Sequence, residues 1–123
     1  MKILLVEDEE ILIKVLQEKL EKEGFTVDLA TNGEVVLFLA KKFRPDLILL
    51  DIVLPKKNGL EVLRDLKEDP VLKNIPVIIL SNLGEDEKIK KALSMGAVDY
   101  MVKAQHPINE VMDKIKSYLI QPK

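Results

Sequence analysis

Pro45-Asp46-Leu47-Ile48-Leu49-Leu50-Asp51-Ile52-Val53-Leu54-Pro55 is the stretch whose reading decides the fold. Four apolar residues stand between two acids, with no alternation of apolar and polar. A strand with one wet face would alternate, so this one is expected to be covered on both faces, as in a parallel sheet. The run is too short for a buried helix and ends on a carboxylate, Asp51.

The same pattern recurs on either side. Ile3-Leu4-Leu5-Val6 ends at Glu7-Asp8, Val77 to Leu80 ends at Ser81, and Ala97 to Val102 ends at Lys103. Phe25, Val27 and Leu29 alternate with Thr26 and Asp28, giving a second strand with a more polar face. Amphipathic stretches lie between the strands. Leu12, Leu16 and Leu20 are spaced four apart over 10–23, and Gly24 stands where a helix-terminating glycine belongs. Asn32-Gly33 marks a turn before a helical pattern over 34–42, which Pro45 keeps from continuing. Asn58 with Glu61 three later resembles a capping pair for a third helix bearing Leu60, Leu63 and Leu66. A fourth helix over about 85–95 closes at Gly96. Pro107 suits a first helical position, and Ile108, Met112, Ile115 and Leu119 share one face of the fifth. The order is (βα)₅. Five units are too few for an eight-stranded barrel, so the expected fold is α/β: an open, doubly wound, five-stranded parallel sheet with right-handed crossovers.

The chain has 123 residues, enough for one domain, expected over 1–120 with 121–123 as a tail or the start of a linker. Lys plus Arg is 19 and Asp plus Glu is 21, a net charge of −2, which does not fit a basic nucleic-acid module. No cysteine and a single histidine, His106, exclude thiolate metal sites and multi-histidine centres. His106, between Gln105 and Pro107, reads as a loop or capping residue. There is no signal-peptide core and no apolar run of membrane-spanning length, so a cytoplasmic location is expected.

In open α/β sheets, ligands bind outside the carboxyl ends of the strands. The residues placed there are Glu7 and Asp8, Asp51, Ser81 and Lys103. Clustered carboxylates repel and require a counter-charge. Mg²⁺ supplies one with oxygen ligands and retained waters. Lys103 would hold an anionic group beside the metal, and Ser81 would donate to it. The set suits phosphoryl chemistry, with a carboxylate as the nucleophile. Taken singly, each residue has an ordinary explanation as a helix cap, a turn or a solvated charge.

These residues together, with Asn58-Gly59, Leu80-Ser81 and Gly96-Ala97-Val98-Asp99-Tyr100-Met101-Val102-Lys103, resemble the receiver domain of bacterial two-component response regulators over essentially the whole chain. The resemblance implies strand order 2-1-3-4-5, which periodicity alone does not supply. It implies that Asp51 is the phosphoacceptor, served by a sensor histidine kinase or a histidine phosphotransfer protein. It implies Mg²⁺ on Asp8, Asp51 and the Val53 carbonyl, with Glu7 acting through water. Ser81 and Lys103 would contact the phosphoryl group. Tyr100 would be the switch aromatic that turns inward when Ser81 moves.

Phosphorylation adds about −1.5 to −2 charge, and the new contacts would bias the face built from the fourth helix, fifth strand and fifth helix. With no effector region after the last helix pattern, the output is expected to be binding of a downstream protein target or a fused effector, or homodimerisation, through that face. No direct contact with nucleic acid or membrane is expected. The chain would be a switch, not an enzyme beyond its own phosphorylation and dephosphorylation. Ala104 stands where the family has proline, which leaves the Lys103–Ala104 bond open between cis and trans. Asn82 would narrow access to the phosphoryl group. Val53 and Leu83 are apolar and cannot orient an attacking water, so slow self-dephosphorylation is expected. A small Mg²⁺-dependent phosphatase with an aspartyl-phosphate intermediate is the alternative. A flavin carrier is disfavoured because Glu7-Asp8-Glu9-Glu10 would repel its phosphate.

Overall fold

A computed structural model describes residues 1–119. The expected tail at 121–123 lies outside them. The elements run β1 (Lys2–Val6), α1 (Glu10–Lys22), β2 (Thr26–Ala30), α2 (Val36–Phe43), β3 (Leu47–Leu50), α3 (Gly59–Glu68), β4 (Val77–Ser81), α4 (Asp86–Ser94), β5 (Asp99–Val102) and α5 (Ile108–Leu119). The strands form one sheet in the order β2-β1-β3-β4-β5, all parallel. That is the order the resemblance implied.

The apolar runs are buried on both faces, as their lack of alternation required. Leu4, Val6, Ile48, Leu50, Val77 and Ile79 pack with α2, α3 and α4 on one side. Ile3, Leu5, Leu47, Leu49, Ile78 and Leu80 pack with α1 and α5 on the other. Burying one such aliphatic side chain contributes about 1.5–3 kcal/mol, so this double-sided core dominates the stability. Gly24 and Gly96 close α1 and α4 with φ of 94° and 109°. At each, the next residue's N–H bonds back five positions, Phe25 to the Leu20 carbonyl at 3.0 Å and Ala97 to Ala92 at 3.1 Å.

Three local expectations are corrected. The pattern over 34–42 begins as a 3₁₀ turn, Gly33–Val35, capped by the Asn32 side chain on Glu34 N–H at 2.9 Å. Its helix then ends on Arg44 in the left-handed region, before Pro45 acts. The last strand begins at Asp99, not Ala97, because Gly96 and its turn occupy the preceding residues. Pro107 stands just ahead of α5, its carbonyl accepting from Glu110 and Val111. The capping pair is present. Asn58 Oδ1 accepts from Leu60 and Glu61 N–H at 3.0 and 3.1 Å, and Asn58 Nδ2 donates to Glu61 Oε1 at 2.7 Å.

Candidate phosphoryl and cation site

Sheet register builds the site. The chain runs from β1 to β2 on one side and returns to β3 on the other, so the switch point lies between β1 and β3. Val6 pairs with Leu50, which sets Glu7 beside Asp51 one step past both strands. Ser81 pairs with Val102, and the Lys103 N–H donates to the Ser81 carbonyl at 2.9 Å. Residues far apart in the chain therefore meet at one sheet edge.

Asp51 is only 4% exposed. Its Oδ1 accepts from Ile52 N–H at 2.7 Å and Val53 N–H at 3.4 Å, while its Oδ2 accepts from Lys103 Nζ at 2.9 Å. One oxygen is fixed by backbone and the other lies on the ammonium. Glu7 is 1% exposed and divides its bonds in the same way, Oε1 to Lys103 Nζ at 3.0 Å and Oε2 to Asp8 and Glu9 N–H at 3.2 Å. Burial raises the Glu7 carboxyl above its ordinary pKa, against the lowering pull of Lys103, and neighbouring Asp51 raises it further. For Lys103, burial acts to lower the pKa, but its bonds to Asp51 and Glu7 outweigh burial and hold it raised.

Carboxylate oxygens of Glu7, Asp8 and Asp51 lie within 4.8 Å of one another. Two are buried and Asp8 is exposed, so hard oxygen donors converge from a dry wall and a wet rim. That donor set fits a hydrated Mg²⁺, which binds through one or two carboxylates and keeps waters. The cleft holds about 210 Å³ and is lined by Asp8, Glu9, Asp51, Val53, Ser81, Asn82 and Lys103. A cleft of this size has room for several waters, and so for a hydrated cation. A larger groove of about 450 Å³ runs beside β5 and α5, where Asp99 and Lys114 pair at 3.3 Å.

Each expected residue has a definite place. Ser81 is fully buried and does not cap α4, which begins at Asp86. Its Oγ accepts from Leu83 N–H at 3.3 Å. Lys103 reaches Asp51 and Glu7 across a trans peptide, as no cis bond occurs among the described residues. Tyr100 is already inward, 8% exposed, with its hydroxyl donating to the Leu83 carbonyl; burial raises its pKa. A solvated surface ring, the ordinary alternative for that position, is not what the structure has. Val53 stands at the rim, 60% exposed, and Asn82 is exposed beside it. His106 folds back on β5, its Nδ1 3.1 Å from both Val102 N and O, which fits a loop-capping role. Glu9 was missed. It lies 3.4 Å from Lys103 Nζ as a fourth acid. Its signal was its place just before α1, where its side chain makes no cap and is free to turn to the site.

An open parallel sheet with buried acids and an ammonium at its switch point defines a doubly wound α/β protein with a charged site at the carboxyl edge. Residues 3–116 match the family model described as response regulator receiver domain, and the chain belongs to that family. It is 40% identical over 120 residues to the alkaline phosphatase synthesis transcriptional regulatory protein PhoP of Bacillus subtilis, covering 96% of this chain and 48% of that protein. It is 38% identical over 118 residues to the chemotaxis protein CheY of Halobacterium salinarum, covering 95% of each. The BeF₃-activated N-terminal receiver domain of RstA from Klebsiella pneumoniae superposes with a TM-score of 0.91 at 30% identity, covering 98% of this chain and all of that one. The chain thus spans about half the length of a PhoP-type relative and nearly all of a CheY-type one. It is a receiver domain of two-component signalling, a class of signalling switches. Among the described residues no helix is long and apolar enough to cross a membrane.

Proposed function

We propose that Asp51 accepts a phosphoryl group from a histidine kinase or a histidine phosphotransfer protein. The observation that carries this is the state of Asp51. It is buried, fixed by backbone through one oxygen and held on Lys103 through the other, with Glu7 and Asp8 beside it. In the transfer, the phosphorus–nitrogen bond of the donor imidazole breaks and a phosphorus–oxygen bond to Asp51 forms, with the bonding pair returning to the imidazole. Charge builds on the outer phosphoryl oxygens in such reactions. Lys103 then neutralises one of them and the Ser81 hydroxyl donates to another. Asp8, Asp51 and the Val53 carbonyl would hold Mg²⁺, with Glu7 in contact through water; when bound, the ion supplies further positive charge to those oxygens.

The output reading follows from Ser81 and Tyr100. The Leu83 carbonyl accepts from the Tyr100 hydroxyl, and the Leu83 N–H donates to Ser81 Oγ. A phosphoryl group that drew Ser81 away would release one of these restraints on the loop leading into α4. The α4–β5–α5 face would then shift population toward a form that binds a downstream protein or a second copy. Val53 and Leu83 offer no polar group to orient an attacking water, so the phosphoryl group would persist. The test is labelling by acetyl phosphate with Mg²⁺. One phosphoryl group per chain is expected, lost on chelation and in Asp51→Asn. Undiminished labelling of Asp51→Asn would overturn the assignment.

A further inference from the structure

The loop over 52–58 carries the Val53 carbonyl, and two glycines hold it. At its stem the Gly59 N–H donates to the Ile52 carbonyl at 2.7 Å. A Cβ on Gly59 would overlap the Asp51 carbonyl oxygen and come 2.6 Å from Ile52 Cα. At its far side the contact comes from another part of the chain. The Gly33 N–H, at the start of the 3₁₀ turn ahead of α2, donates to the Pro55 carbonyl at 3.2 Å. A Cβ on Gly33 would overlap the Lys57 carbonyl oxygen and lie 2.8 Å from both Lys57 C and Lys57 Cβ. Real Cβ atoms do not approach backbone so closely, so the loop would have to move.

Its freedom to move away is small. Lys56 already has φ of 70°, the Lys57 N–H donates to Pro55 O at 2.8 Å, and the Lys57 ammonium pairs with Asp65 on α3. Gly33 itself is outside the left-handed region, so alanine suits its backbone and only the loop opposes it. A displaced Lys57 passes its shift along a short, pinned loop to Val53.

We propose that Gly33 is a positioning residue for the cation site: the space left by its missing side chain sets where the Val53 carbonyl stands. This rests on the reading of that carbonyl as a ligand. Mg²⁺ demands near-octahedral geometry at short distance, whereas Ca²⁺ accepts more ligands at longer and more variable distances. A displaced carbonyl therefore harms Mg²⁺ binding more than Ca²⁺ binding, a signature that general destabilisation does not produce.

The experiment is calorimetric titration of Mg²⁺ and of Ca²⁺ into the unsubstituted protein, Gly33→Ala and Asp8→Asn. For Gly33→Ala with unchanged circular dichroism, Mg²⁺ affinity falls about tenfold, the scale of outer-contact effects on metal sites. Ca²⁺ affinity falls much less. Unchanged Mg²⁺ affinity, or equal loss for both ions, overturns the inference. Should Gly33→Ala not fold, amide NMR of the unsubstituted protein decides. The Gly33 amide is expected to follow the Mg²⁺ titration with the midpoint of Val53, while Gly24 stays still; a stationary Gly33 overturns the inference. Asp8→Asn separates the two levels. If it leaves Mg²⁺ affinity intact, or if the unsubstituted protein binds no Mg²⁺, the reading of the cation site fails as well.

Discussion

The two ends of the sheet treat charge in opposite ways. At the carboxyl end, Glu7 and Asp51 are buried beside the half-buried Lys103, whose one ammonium is shared between these two buried acids and the exposed Glu9. At the amino end, each charge has its own local duty. Asp46 Oδ2 accepts from the Lys2 N–H at 2.7 Å, and Lys2 Nζ donates to the Phe43 carbonyl at 3.0 Å while lying 5.4 Å from the Phe43 ring centroid. Lys67 Nζ donates to the Lys73 and Ile75 carbonyls at 3.1 and 2.8 Å, and Lys41 pairs with Asp69 at 3.0 Å. One end tidies the loops where strands begin. The other keeps an excess of buried negative charge, which costs stability and leaves the site ready for a cation and an anion together.

The sharpest way to break this contrast is to remove Lys103. Lys103→Met would leave Glu7 and Asp51 buried without their counter-charge, a change that costs about 3 kcal/mol or more. Urea unfolding in chelator should show this loss, and Mg²⁺ should recover part of it by replacing the missing positive charge. A cost below that of a surface pair would mean the carboxyl end is not electrostatically loaded. The next effect in size is the cation itself. A ligand that binds only the folded state stabilises by about 2.7 kcal/mol at one hundred times its dissociation constant. Mg²⁺ at that level should therefore raise the unfolding midpoint of the unsubstituted protein, and Asp8→Asn should reduce the rise.

The two ends should also answer pH with opposite sign. Glu7 has a raised folded-state pKa, from burial first, so its contribution to stability is present below its ordinary value of 4.5 and lost as pH rises through the folded pKa. Asp69 has a lowered one, through its bond from Lys41 and then from the Val71 N–H, so its contribution is present above 3.8 and lost as pH falls through the folded pKa. In chelator, Glu7→Gln should gain on the unsubstituted protein as pH rises, and Asp69→Asn should gain as pH falls. Urea midpoints across the acid range measure both, and slopes of the same sign would refute the contrast.

The sequence carried the layered architecture because burial on two faces leaves a local trace. Leu47 to Leu50 and Val77 to Leu80 read as covered strands without any knowledge of what covers them. Gly24 and Gly96 marked helix ends because a left-handed residue there favours glycine. The residue types of the site were legible for the same reason, since each follows an apolar run. Their geometry was not. That Lys103 spans Asp51 and Glu7 depends on register between strands far apart in the chain, and no local pattern encodes register. Tyr100 could face in or out by pattern alone, and its inward packing depends on the Leu83 carbonyl in a loop 17 residues earlier. Glu9 looked like one more acid in a run until α1 left its side chain uncapped. Gly33 looked like a turn glycine, and its close approach to Lys57 arises only when two separate loops meet.

The smallest expected effect belongs to the amino end and completes the contrast. Asp46→Ala removes the acceptor for the Lys2 N–H but leaves the backbone bond from Asp46 N–H to the Lys2 carbonyl, at 2.8 Å. Lys2 is exposed, so water can take the place of the lost carboxylate. A single hydrogen bond of this kind contributes about 0.5–1.5 kcal/mol, and the exposed ionic component adds little. The loss should be the same with Mg²⁺ or with chelator, because nothing links Asp46 to the opposite sheet edge except the rigid strands. Urea unfolding in the two buffers tests this directly. A penalty as large as that of Lys103→Met, or one that Mg²⁺ relieves, would show that the two ends are coupled and that charge burial at the carboxyl edge is not a local property of the site.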